Sequence, residues 1–328
     1  MKKIMKIALG VFGVIVIAGC SAYILNKAIL AKEAGKKLDI LVVVKAIDFR
    51  MEFWDSVYAG IDTAAKEFDV NVKITGSGTE RDIHEQIGIL ENAIKNKPDA
   101  VVLAANDYYA LVPVAEKVRK NNIKLVIIDS GLNSELPDSF IATDSFEAGK
   151  KAGKELLKLV GSNSKIAIIS HVEGSSTAIE REKGVREGLS KEMEDNILGI
   201  FYSSAVQAKA YEIAKDLMME NPDLEGIVGL NESSTVGAAM AIDDLGLKGK
   251  VKLVGFDSSL SEVGFIEKGV IQATVVQKPF NMGYLSIKTA VQAVKGKKVN
   301  KKIDTGSEII TKENMYTEEN QKLLFPFM

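Results

Sequence analysis

The chain has 328 residues, 46% of them hydrophobic, and a formal net charge of −2 from 42 Lys and Arg against 44 Asp and Glu. That length and apolar content suffice for a sizeable core and favour two domains over one. The near-neutral balance offers no basic footprint for nucleic acid, and one cysteine with two histidines excludes a Cys/His metal cluster and an internal disulfide by counting.

At the N-terminus, Lys2, Lys3 and Lys6 precede an uncharged apolar stretch from Ile7 to Leu25, the pattern of a secretion signal. Cys20 ends Ile17-Ala18-Gly19-Cys20, which resembles the lipobox of bacterial lipoproteins, where the cysteine is lipidated and becomes the mature N-terminus. The alternative is an uncleaved transmembrane anchor, since the apolar stretch approaches the ~20 residues that span a bilayer. Either way the folded part is expected at the outer face of the cytoplasmic membrane. Residues 1–20 read as signal and lipobox, and 21–38 as a polar tether.

From Asp39 onward, short β-branched runs alternate with amphipathic helical patterns. Strands are expected at 39–45, 70–75, 99–104, 124–129, 165–171, 197–202, 226–230, 251–256 and 272–277. Between and after them, helices are expected near 53–68, 82–96, 108–121, 145–160, 176–190, 206–220, 233–245, 259–268 and 280–295. Runs such as VVLAA and KLVIID are apolar throughout, as strands covered on both faces are. Strands alternating with helices imply βαβ units, and nine units exceed one ordinary doubly wound sheet. Two similar lobes are therefore expected, with a break near Thr143-Asp144. Residues 314–328 read as a C-terminal tail, with a helix capping the surface.

Polar residues follow the apolar runs again and again: Lys45, Asn106 and Asp107, Asp129, His171, Asn231, Asp257 and Gln277. Ligands of open α/β sheets bind in the crevice beyond the carboxyl ends of the strands, so this pattern marks a small-molecule site. Nucleotide motifs do not fit: Gly76-Ser77-Gly78-Thr79-Glu80-Arg81 has arginine at the third glycine of a dinucleotide fingerprint, and its glycines read as turn residues. Gly174-Ser175-Ser176-Thr177 lacks the nucleophile-elbow spacing, and His171 shows no partner in the sequence. Phe53 and Trp54 follow the first strand and a charged loop, Asp48 to Glu52, and read either as core or as rings facing the crevice. Aromatic faces suit the C–H faces of a sugar, and charged or amide groups suit its hydroxyls. Lys45 and Arg181 balance Asp129 and Asp257, which suits a neutral polyol.

Several motifs occur in order: Phe53-Trp54 before DSVYAGIDTAAKE, Asp129 closing IKLVIID, Thr143-Asp144 before SFEAGKKAG, Ala178-Ile179-Glu180-Arg181 before EKGVREGL, Asn221-Pro222-Asp223 before LEGIVGLNE, Gly255-Phe256-Asp257, and Ala273-Thr274 before VVQKP. With these the chain resembles a type 1 periplasmic binding protein of the ribose- and allose-binding branch, from about residue 39 to about residue 312. The resemblance implies two flavodoxin-like doubly wound parallel-sheet lobes joined by a hinge, residues 39–143 plus 278–306 and residues 144–277 plus 307–313. It implies that Phe53, Trp54 and Phe256 sandwich a sugar, that Asp129, Arg181, Asn231, Asp257 and Gln277 bind its hydroxyls, and that Lys45 matches a lysine of the allose-binding pattern. Ser130 stands where ribose binders have arginine and allose binders glutamate, and Ala205 where an aromatic residue is usual. These departures point to a roomier pocket, for a hexose or a substituted sugar.

The expected function is capture of a monosaccharide or related polyol by a monomer, without catalysis, cofactor, metal or nucleic acid, and its delivery to an ABC transporter permease. The alternative is a sugar sensor presenting its closed form to a membrane receptor or sensor kinase. A sugar-responsive transcription regulator is disfavoured, because the N-terminus is an apolar export segment and not a helix-turn-helix.

Overall fold

The computed structural model describes residues 37–47 and 51–325. Cys20, the export segment and most of the tether lie outside the described residues, as do Asp48, Phe49 and Arg50. The described chain runs β1 (Asp39–Ala46), α1 (Glu52–Phe68), β2 (Asn71–Ser77), α2 (Ile83–Asn96), β3 (Ala100–Leu103), α3 (Val112–Lys120), β4 (Lys124–Ile128) and β5 (Ser139–Ala142). It continues through α4 (Ser145–Val160), β6 (Lys165–Ser170), α5 (Ser176–Leu189), β7 (Ile197–Tyr202), α6 (Gln207–Glu220), β8 (Leu224–Gly229), α7 (Glu232–Asp244), β9 (Lys252–Phe256), α8 (Leu260–Lys268) and β10 (Ala273–Val276). The last elements are α9 (Pro279–Val294), β11 (Lys302–Asp304), β12 (Glu308–Thr311) and α10 (Glu318–Leu324).

The strands form two six-stranded sheets, ordered β11-β5-β4-β3-β1-β2 and β12-β10-β9-β8-β6-β7. Their first five strands each follow the 2-1-3-4-5 order of flavodoxin-like folds, so the expectation of two doubly wound lobes holds. All neighbouring strands are parallel except β10 and β12, which are antiparallel. The chain passes between the sheets three times, after β5, after β10 and after β11.

The strand interiors are apolar because helices cover both faces. Val42, Val43 and Val44 of β1 and all four residues of β3 are buried. α1 and α9 lie together against the first sheet, and α4 and α5 against the second. The α4–α5 crossing is close enough for backbones to touch. A Cβ on Gly149 would sit 2.2 Å from the carbonyl oxygen of Arg181, and one on Gly184 would sit 2.1 Å from that of Phe146. Only glycine fits at these two positions, and α5 carries Arg181, so this contact sets where that side chain starts.

Two details differ from the expected elements. α3 begins at Val112 and not at residue 108, because Asp107 Oδ1 accepts from the Tyr109 and Ala110 backbone N–H groups in a local turn and Pro113 sits in the first helical turn. Three short strands, β5, β11 and β12, were not expected as strands; β11 is three residues long and largely exposed, with no alternation to read.

Candidate functional site

The site lies where the carboxyl ends of the two sheets meet. A cavity there is lined by Lys45, Met51, Phe53, Trp54, Glu80, Asp129, His171, Thr177, Arg181, Asn231, Asp257 and Gln277. Eight of the nine sequence-expected ligand residues are among them; Phe256 is not. Lys45 reaches this place as the last but one residue of β1, and Asp129 and Asp257 by following β4 and β9, which hold equivalent positions in the two sheets. Both aspartates take the left-handed backbone conformation, with φ of 58° and 79°, where Asp is tolerated better than most residues.

Lys45 is the hub on the first sheet. Its Nζ lies 3.4 Å from Asp129 Oδ2 and 3.8 Å from Glu80 Oε2, and it donates to Thr177 Oγ1 at 3.2 Å. All three charged groups are buried. In the sequence Glu80 stands only as part of a glycine turn; its signal is its position in the loop that follows β2, at the same sheet edge. With Glu80 counted, carboxylates outnumber cations around the cavity.

Arg181 is the hub on the second sheet. Its guanidinium carbon stands 4.5 Å from the centroid of the Phe256 ring, and Nη1 donates to the Leu230 carbonyl at 2.7 Å. Phe256 is fully buried in the second sheet's core, so its ring supports the guanidinium and does not form a cavity wall. Arg181 Nε is buried and makes no hydrogen bond among the described residues. Asp257 Oδ1 accepts from Gln277 Nε2 at 2.7 Å, and Oδ2 accepts from the Glu232 backbone N–H at 2.9 Å. Asn231 serves as the N-cap of α7: its Oδ1 accepts from the Ser234 N–H at 3.1 Å and its Nδ2 donates to Ser233 Oγ at 2.9 Å.

His171 has partners that the sequence did not reveal. Its Nε2 is 2.9 Å from Thr177 Oγ1 and 3.1 Å from Ser175 Oγ. Burial first, then Lys45 and Arg181, hold its pKa well below the usual imidazole value, so it is neutral. Ser175 is fully buried, caps α5 and is not on the cavity wall, so the pair does not present a nucleophile to the cavity. Phe53 and Trp54 meet edge to face at 5.3 Å; Trp54 is 2% exposed and stacks on Tyr58, while Phe53 is half-buried. Both residues are on the cavity wall, and Trp54 also belongs to the buried core, so the two readings of this pair meet at Trp54.

Two carboxylates bridge the sheets' halves reciprocally. Met51 offers no side-chain cap to α1, and the orphan N–H groups of Glu52 and Phe53 donate instead to Glu232 at 3.4 and 3.3 Å. In return, Glu52 accepts from the Leu260 N–H at the start of α8, at 3.2 Å. Each side chain thus completes a helix N-terminus on the other side by accepting from its orphan N–H groups.

Burial, and then repulsion from Asp257, push the Glu232 carboxyl up to about 8. Burial also raises Asp257, against the pull of Arg181, and holds Glu262 well above the carboxylate range. A carboxyl whose pKa is raised by folding contributes stability that is fully present below its unfolded pKa and is lost as pH rises through the folded value. The melting temperature should therefore fall between about pH 5 and pH 9, and Glu232→Gln should make that fall shallower. An equal slope in the parent and Glu232→Gln, followed by circular dichroism, would show that Glu232 does not titrate in this way.

Residues 40–298 match the family model described as periplasmic binding protein domain. Over 278 residues the chain is 26% identical to the D-allose-binding periplasmic protein of Escherichia coli, covering 82% of this chain and 89% of that protein. A solved sugar transporter structure from Clostridium phytofermentans is 39% identical, with a TM-score of 0.78, covering 83% of this chain and 98% of the other. A solute-binding protein of a carbohydrate transporter from Agrobacterium radiobacter, solved with D-arabinose, is 32% identical, with a TM-score of 0.83 and coverage of 88% and 99%.

Proposed function

Because this chain belongs to the periplasmic binding protein family, we propose that it captures a monosaccharide between its two sheets and delivers it to an ABC transporter permease, without chemical conversion. The observation that carries this reading is the composition of the cavity wall. Phe53 and Trp54 supply apolar ring surface, and Lys45, Asp129, Arg181, Asp257 and Gln277 supply charged and amide groups at the carboxyl ends of the strands. Lys45 and Asp129 are already buried as an ion pair, so they can bond hydroxyls without the cost of burying a new charge.

In this reading the lobes are residues 39–143 plus 278–306 and residues 144–277 plus 307–313, hinged at the three crossings, and the Glu52–Glu232 exchange belongs to the closed form. Ligand favours that form through contacts made only when the lobes meet. The chain is held at the outer face of the membrane through Cys20, so the mature protein should carry a diacylglyceryl group on that cysteine by mass spectrometry; an intact residue 1–25 segment in the membrane fraction would reject lipidation for a spanning anchor.

A thermal-shift screen against pentoses, hexoses and polyols tests the function. Binding to the native state raises stability by about 2.7 kcal/mol at a hundred times Kd, or roughly 4–5 °C for a protein of this size. At least one sugar should give such a shift. A panel without any shift would reject the reading.

A further inference from the structure

We infer that Glu232, which is not on the cavity wall, is a proton-carrying latch: as the lobes close on a sugar it seats the first turn of α1, with Phe53 and Trp54, and takes up a proton. This inference rests on the two-lobe, sugar-capturing reading above.

The latch follows from a missing cap. Met51 gives α1 no side-chain cap, and the Glu52 and Phe53 N–H groups donate across the lobes to Glu232 Oε1 and Oε2, at 3.4 and 3.3 Å. Phe53 and Trp54 leave the helix in that same turn and reach the cavity wall. Glu232 lies off that wall, yet it fixes where both side chains begin. When the lobes part, α1 leaves with the first sheet, and Glu232 on α7 stays with the second.

The same contact buries an acid among acids. Glu232 is 6% exposed, and three carboxyls face it: Asp257 after β9, Glu262 on α8 and Glu52 on α1. Asp257 Oδ2 is held at the Glu232 backbone N–H, and Glu262 is fully buried in the capping box of α8. No lysine, arginine or histidine pairs with Glu232 among the described residues; the Arg181 guanidinium acts on Asp257. Burial first, then repulsion from Asp257, outweigh the two long hydrogen bonds from α1, and Glu232 stays neutral up to about pH 8. A neutral carboxyl still accepts through its carbonyl oxygen. With α1 withdrawn, water reaches the carboxyl, and an exposed glutamate ionises above about pH 4.3. Between these two values the closed form holds a proton that the open form lacks. Affinity is therefore highest at the acid end of that interval and falls across it, by up to about tenfold per pH unit.

Calorimetry on the full-length chain tests this, with the pentose or hexose that gives the largest thermal shift, in buffers of different ionisation enthalpy. At pH 7 the parent should take up about one proton per sugar bound, and its affinity should fall about tenfold or more from pH 6 to pH 8. Glu232→Gln keeps the shape and an acceptor oxygen but cannot titrate; it should take up no proton, and its affinity should change less than about threefold over that range. Glu232→Ala removes the latch itself and should bind about threefold to tenfold more weakly than the parent at pH 6. Trp54 is the only tryptophan, so its emission reports how the latched turn is seated, and with saturating sugar it should lie further to the red in Glu232→Ala than in the parent. Sugar binding without proton uptake by the parent, or uptake that persists in Glu232→Gln, would overturn the inference and leave the proposed function standing. Glu232→Ala binding as tightly as the parent, with unchanged Trp54 emission, would overturn it as well. No binding by any sugar of the panel would reject the proposed function, and this inference with it.

Discussion

Arg181→Ala should weaken sugar binding about tenfold to a hundredfold while the protein stays folded. The guanidinium is held from below by the Phe256 ring and from one side by the Leu230 carbonyl, and its buried Nε has no partner among the described residues. A hydrogen bond from a charged donor contributes roughly 1.5–3 kcal/mol, which corresponds to that range of affinity. The loss has a second part: Asp257 loses the cation that opposes its repulsion from Asp129 and becomes harder to ionise. Arg181→Lys is the informative companion, since lysine keeps the charge but not the planar surface that stacks on Phe256. It should bind more weakly than the parent and no more weakly than Arg181→Ala. Calorimetry against the sugar found by thermal shift decides this; an Arg181→Ala protein that binds as tightly as the parent would place the ligand elsewhere.

Gly184→Val should lower stability by about 3 kcal/mol or more and abolish tight binding at the same time. The new Cβ would meet the Phe146 carbonyl oxygen at 2.1 Å, and backbone cannot rotate away as a side chain can. Overpacking typically costs about 1–3 kcal/mol, and a backbone clash belongs at or above the top of that range. For a protein of this size the melting temperature should drop by roughly 5–10 °C. If α4 and α5 move apart to relieve the clash, Arg181 moves with α5, so affinity should fall even at temperatures where the variant is folded. A melting temperature within a degree or two of the parent would show that the helices can separate at little cost.

The sheet cores and the polar groups at their ends are legible from the sequence because burial on both faces leaves runs such as LVVVK and KLVIID, whose first polar residue marks the strand's end. Lys45, Asp129 and Asp257 follow from that rule alone. Phe256 shows its limit. As the last residue of β9 its side chain is committed to a sheet face, here the one packed under α4 and α5, while Asp257 after it turns to the cavity. Asn231 illustrates another: Asn-Glu-Ser-Ser before an apolar run is a helix-start signature, and its side chain is engaged as a cap as well as facing the cavity. Glu80 and Thr177 were missed because they stand in a loop and a helix start, where nothing periodic distinguishes a residue at the site from one in solvent. The His171 contacts were missed because Thr177 and Ser175 meet it only through the turn between β6 and α5. The short edge strands carry too few residues for any period.

The three crossings between the sheets also bear on when the molecule can fold. The first sheet lacks β11 and its covering helix α9 until residues 279–304 have been made, and the second lacks β12 until residues 308–311 have been made. Neither half is a finished unit when the chain has emerged only as far as β10, although both already contain most of their strands. Contacts between segments this far apart in sequence form slowly, and folding during synthesis ordinarily proceeds by completed domains. Here the two halves reach completion nearly together, after all of the parallel strands have been made. A chain bound for export, as proposed for this one, thereby gains an interval in which it is not yet locked into its native form and can still be threaded through a narrow channel.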